Sequence, residues 1–122
     1  MSVFRTDSAG TYFAKTDIDQ HIAVTLDTSE EKTVKIASKG DTVIGFTRRH
    51  QAAGQKVAVR ELSDKGSFLS ITEDAVTPGT ELYVADNGKV RIADASETHK
   101  PFAFALTNGA IGEEIEILIK QM

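Results

Sequence analysis

The sequence contains no cysteine and no tryptophan, and only two prolines and two tyrosines in 122 residues. Without cysteine there are no disulfides, no thiolate zinc or iron–sulfur sites and no cysteine nucleophile. With so few tyrosines and no tryptophan, a stacking platform for sugars is poorly supplied. No stretch approaches the roughly 20 consecutive apolar residues of a spanning helix. Met1-Ser2-Val3-Phe4-Arg5 has neither the apolar core of a secretory signal nor a myristoylation start. The expectation is a product made in the cytoplasm, without a membrane anchor, and located by whatever it assembles with. Cations are also in the minority, 14 Lys+Arg against 18 Asp+Glu for a net charge of −4. Affinity for a phosphate backbone comes from clustered cations, so no nucleic-acid partner is expected.

Chemical motifs are missing in the same way. There is no phosphate-cradling Gly-x-x-x-x-Gly-Lys-Ser/Thr, no Gly-x-Gly-x-x-Gly and no Gly-x-Ser-x-Gly elbow. His21, His50 and His99 stand far apart, outside any metal-ligand spacing, and read as solvated or loop residues. Asp17-Ile18-Asp19 resembles the start of a calcium loop, but Ile22 stands where that loop needs glycine and Thr28 where it needs a carboxylate. Glu30-Glu31 and Glu113-Glu114 read as solvated charges, although paired carboxylates across a cleft are all that a glycosidase needs. Arg48-Arg49-His50 is the one basic cluster, either a solvated loop or a steering patch for an acidic protein surface. No catalytic residue, cofactor, metal or small-molecule substrate is expected, and the chain is read as a non-enzyme.

What is present is a β pattern. Hydrophobic residues make up 40% and charged residues 26%, the balance of a globular chain. Its apolar positions mostly alternate, with Val, Ile, Thr, Phe and Tyr prominent, which predicts an all-β fold. In Glu113–Lys120, Ile115, Ile117 and Ile119 face one way and Glu114, Glu116 and Lys120 the other, with Leu118 breaking the polar face. Glu81–Ala85 and Lys89–Ala93 form a predicted hairpin around Asp86-Asn87-Gly88. A three-residue loop pairs Val84 with Val90 and Leu82 with Ile92 on one face, with Gly88 taking the left-handed position. Pro78-Gly79 suits a type II turn. Phe102, Phe104 and Leu106 are predicted to form a core face opposite Ala103 and Ala105. Ser29–Lys32 and Arg48–Ala53 carry the only helix signals, each a turn or two at most.

A faint internal repeat runs through the chain. Ile44-Gly45-Phe46 is followed eight residues after Phe46 by Gly54 and then Gln55-Lys56-Val57-Ala58-Val59. Phe102-Ala103-Phe104 is followed at the same spacing by Gly112 and Glu113-Glu114-Ile115-Glu116-Ile117. Val34–Ser38 resembles Val90–Asp94 upstream, with the next connection two residues longer in the second copy. Chance similarity of strand–turn–strand units accounts for this as well as duplication does. Residues 1–20 lack a sustained period and are read either as an edge strand docked on the chain's own domain or as an N-terminal arm that orders on a partner; residues 21–122 are read as a single β domain.

From about Val34 to Ile119 the chain resembles the small β proteins that decorate tailed-bacteriophage capsids, the cement or head-stabilising proteins. The resemblance lies in the order of Ala37–Phe46, Gly54–Val59, Val76–Val84, Asn87–Val90, Pro101–Leu106 and Gly112–Ile117. It implies a β-barrel or β-tulip-like domain that binds the outer surface of an expanded head, commonly as a homotrimer, and bridges subunits of the major capsid protein. It also implies capsid contact through the N-terminal arm, at Val3, Phe4, Arg5, Tyr12 and Phe13. A receptor- or glycan-binding β module of a phage tail or fibre is the alternative, and a small hydrolase with paired carboxylates ranks below it.

Overall fold

The computed structural model describes residues 10–63 and 66–120. Ten strands form two five-stranded units. The first contains β1 (Gly10–Ala14), β2 (Ala23–Leu26), β3 (Thr33–Ile36), β4 (Gly45–Thr47) and β5 (Lys56–Glu61), closed into a barrel in the order β1-β3-β2-β4-β5. The second contains β6 (Ser67–Ile71), β7 (Glu81–Val84), β8 (Val90–Arg91), β9 (Ala103–Ala105) and β10 (Glu114–Ile119), ordered β6-β10-β9-β7-β8. A parallel Thr72–Val90 bridge curls its two edges toward each other. The fold is all-β as the alternation predicts, and neither helix candidate forms a helix.

The repeat is one of structure as well as of sequence. Adding 58 to the bounds of β2, β4 and β5 gives those of β7, β9 and β10. The pairings follow: Gly45–Glu61 becomes Ala103–Ile119, Tyr12–Val57 becomes Ser70–Ile115, and Val24–Gly45 becomes Leu82–Ala103. Loop bonds follow too, since Gly54 N–H to Ala14 C=O recurs as Gly112 N–H to Thr72 C=O. Both glycines hold positive φ, 79° and 85°, a conformation that a Cβ disfavours. Only β3 and β8 differ in offset, by two residues: the Val34 of the Leu26–Val34 pair becomes the Val90 of the Val84–Val90 pair. The shorter β7–β8 turn and the longer β8–β9 connection cancel.

The interior positions repeat with the strands. Val24, Val34, Val57 and Val59 fill the first unit, and Leu82, Val90, Ile115 and Ile117 fill the second. Val84 pairs with Val90 and the loop closes from Ala85 N–H to Lys89 C=O with Gly88 at φ 76°, as the three-residue reading requires. Thr80 N–H reaches Thr77 C=O across Pro78-Gly79, with Gly79 at φ 89°, the expected type II turn.

Two placements differ from the sequence reading. Leu82 pairs with Ala103, not Ile92, because β8 ends at Arg91 and the Ile92 N–H turns to the Asp74 carboxylate, leaving the Ile92 side chain exposed. The β9 faces are reversed: Ala103 and Ala105 are buried while Phe104 and Leu106 face outward. A narrow five-stranded interior already holding Leu82, Ile115 and Ile117 has room for methyl groups there and not for rings. The first unit carries this further, since a Cβ on Gly45, the counterpart of Ala103, would lie 2.5 Å from the Arg60 carbonyl oxygen. Within the 1–20 segment, β1 pairs with β3 on one side and β5 on the other and so forms part of the barrel wall.

Candidate functional site

Two surfaces stand out, the junction between the units and the outer face of the second unit. At the junction, β4 is buried on both faces while its counterpart β9 alternates. The difference arises because the outer face of β4 lies against the second unit. The Phe46 ring, 2% exposed, packs 5.8 Å from Phe68 and is stacked 6.2 Å from Phe102. The Arg60 guanidinium sits 4.0 Å over the Phe68 ring, a cation–π contact, and donates to the Ser67 carbonyl. Ala23 N–H donates to Gly88 C=O at 2.8 Å, and His21 Nε2 lies 3.1 Å from Glu114 Oε1. Lys39 ties the rim by a backbone bond to Asp86 and an ion pair with Asp94 at 2.6 Å. A cleft of about 230 Å³ opens beside this junction, lined by His21, Phe46, Arg48, Arg60, Phe68 and Leu69.

The second surface is the outside of β6, β10 and β9. Strand register sets Leu69 beside Glu116 and Leu118 beside Phe104. Leu69, Leu106 and Leu118 are each 41–42% exposed, so three leucines and a half-buried ring share one face. Lys120 stands 5.4 Å from the Phe104 ring and pairs with Glu81 at 2.9 Å, while Glu116 accepts from the Ser67 hydroxyl. Such clustering of large exposed apolar side chains marks a contact surface more than scattered exposure does. Ile111, at the tip of the β9–β10 turn, is 75% exposed and lies apart from this cluster in the chain.

Of the residues expected to contact a capsid, Val3, Phe4 and Arg5 lie outside the described residues. Tyr12 and Phe13 are neighbours on β1 and their side chains diverge. Tyr12 is half-buried, with its hydroxyl donating to Glu61 Oε2 at 2.6 Å, whereas Phe13 is exposed and lines a shallow concavity with Glu31 and Lys32. The leucine face was not singled out by the sequence reading. Its signal was present in Leu118 breaking the polar side of β10, and the inverted reading of β9 hid Phe104 and Leu106.

Titratable groups with displaced pKa values are held by local partners. The Arg91 guanidinium holds Glu97 at about 2, well below the usual carboxylate range, helped by backbone N–H donors from His99 and Asp94. Arg91 is itself buried, donating through Nε to Val84 C=O at 3.0 Å and through both Nη atoms to Glu97. This pair pins the long β8–β9 connection. The Lys39 ammonium lowers Asp94, and Ser29 donors lower Asp27. Among the described residues no cluster of three His, Asp or Glu is placed to hold a metal ion.

No family model matches the chain, and no curated protein matches it. Among solved structures, the N base of the head fiber gp8.5 of bacteriophage phi29 is similar, with a TM-score of 0.78 and 13% sequence identity. The match covers 92% of this chain and 92% of that one. At this identity the likeness is one of fold, and it extends over both units of this chain.

Proposed function

We propose that this chain is a structural protein of a bacteriophage head, a decoration protein that binds the outer capsid surface and bridges subunits of the major capsid protein as a homotrimer. The observation that carries the reading is the shared fold with the phi29 head-fiber base along nearly the full length of both chains. The ordered resemblance of its strand motifs to capsid-decorating proteins points the same way. A protein that binds only the expanded shell stabilises that shell by mass action, and several weak contacts from one oligomer add as avidity. No catalysis, cofactor, nucleic acid, membrane or small-molecule substrate enters this role. The capsid contacts are assigned to Val3, Phe4, Arg5 and Phe13, with Tyr12 positioning the strand that carries Phe13.

The test is co-sedimentation of the purified chain with expanded heads lacking it, comparing the full sequence with a form starting at Gly10. The form stops there because a deeper truncation removes β1 from the barrel. Saturable binding by the full chain, weakened by the truncation, is the expected result. An intact, folded chain that stays in the supernatant refutes the reading, and specific retention on sugars instead favours the receptor-binding alternative.

A further inference from the structure

The two units of the chain meet through non-equivalent surfaces. The first contributes the outside of β2, β4 and β5 through Ala23, Phe46 and Arg60; the second contributes Phe68, Phe102 and Gly88. The repeat carries Ala23, Phe46 and Arg60 onto Glu81, Phe104 and Leu118. In the second unit those positions form part of the leucine face, where among the described residues neither ring nor strand of the other unit packs on them and Lys120 pairs with Glu81 and stands 5.4 Å from the Phe104 ring. A head-to-tail contact between like units always leaves one such face open at each end. Repetition of the contact satisfies both faces only when a ring closes.

Charge favours another copy of this chain as the occupant. Residues 1–61 hold nine Lys+Arg against eight Asp+Glu, a charge of +1, and residues 62–122 hold five against ten, a charge of −5, together the net −4. Head-to-tail contact sets an acidic second unit against a first unit that lacks that excess, which favours encounter in the correct orientation. The local pairing agrees. Gly88, which receives the Ala23 N–H inside the chain, corresponds to Lys32 by the offset of 56 that relates β3 to β8, and both hold positive φ, 76° and 51°. Where Ala23 meets Gly88 within the chain, Glu81 would meet Lys32 between chains, an acid against a base. Lys32 C=O already accepts the Phe13 N–H at 2.7 Å, so the side chains and not the backbone bond carry this contact.

We propose that copies of this chain join head to tail, the Phe104–Leu118 face of one second unit docking on the first unit of the next copy as β4 and β5 dock within the chain. The proposal takes only the number of copies, three, from the function proposed above. It is tested without capsids, by sedimentation of the full chain alone. The wild type is expected to sediment as a closed trimer. Leu118→Asp, on an exposed side chain, is expected to give a monomer with an unchanged far-ultraviolet circular dichroism spectrum. Because the chain has no cysteine, K32C combined with E81C gives a clean cross-linking pair, and under mild oxidation it is expected to yield covalent species larger than a dimer. Each single-cysteine variant alone should stop at a dimer at most. A wild type that remains monomeric, a trimer that survives Leu118→Asp, or a double-cysteine variant that links no further than the single ones overturns the proposal. Head binding by such a protein would leave the capsid role standing, and a head-to-tail trimer that ignores heads would remove that role while leaving this interface.

Discussion

Phe46 and Phe104 occupy the same place in the two copies of the repeat, on the outward side of β4 and β9, and differ in what covers them. Phe46 is enclosed by Phe68 and Phe102 of the second unit, whereas Phe104 is partly exposed, with Leu118 beside it and the Lys120 ammonium near its ring. Phe46→Ala deletes a fully buried ring and leaves a cavity at the junction, a change that costs about 3–5 kcal/mol. At about 2.1 cal/mol/K of unfolding entropy per residue, that is a fall in melting temperature of about 12–20 °C for a chain this size. Phe104→Ala removes a ring already half in water and should cost about 1–2 kcal/mol from the area it covers. The assay is urea unfolding of both variants at concentrations where the protein is monomeric, followed by far-ultraviolet circular dichroism. Equal costs for the two variants would refute the claim that the junction, and not the shared β position, sets their energetics. A second transition appearing in Phe46→Ala would show that the ring couples the units into one cooperative body.

Other positions carry sharp expectations. Ser70 is fully buried inside the second unit and its hydroxyl finds no hydrogen-bond partner among the described residues, so Ser70→Ala should stabilise the fold by about 1 kcal/mol; a loss of stability on urea titration would contradict this. Gly88 holds φ 76° with Ile22 and Ala23 of the first unit pressed against it, where a Cβ would come within 2.4 Å of the Ile22 side chain. Gly88→Ala should therefore cost about 2 kcal/mol or more, against a near-neutral result if the junction were loose. Glu97 is held at about 2, below its ordinary value of 4.5. Its contribution to stability is complete above about pH 4.5 and disappears as the pH falls through about 2. The stability gap between wild type and Glu97→Gln, read from thermal melts, should narrow over that interval; a gap constant from pH 7 to pH 2 would show that Arg91 does not hold the carboxylate.

Strand identity was legible wherever one face of a strand meets solvent. β10 reads correctly because Ile115 and Ile117 alternate with Glu114 and Glu116, and the β7–β8 loop reads correctly because only one register puts Val84 opposite Val90. β9 was misread because the rings of Phe102 and Phe104 suggested a core, while the interior dimension that admits only alanine is set by Leu82, Ile115 and Ile117 from other strands. β4 carries too little alternation for its double burial to be inferred, since what buries its outer face is the other copy of the repeat. The repeat itself showed only in glycine spacing and a few apolar positions. Backbone pairing keeps the repeat, whereas side chains have diverged, as His21 at φ 60° against Gly79 illustrates. The expected contact residues suffered from the same limit: nothing in Tyr12-Phe13 announces that one side chain points toward Glu61 and the other outward.

A cryo-electron reconstruction of expanded phage heads incubated with this chain addresses the central claim most directly. The account predicts added density on the outer surface, three copies of the doubled barrel at each occupied site, touching more than one coat subunit. Heads that remain bare, or density confined to a tail or fibre tip, would contradict it.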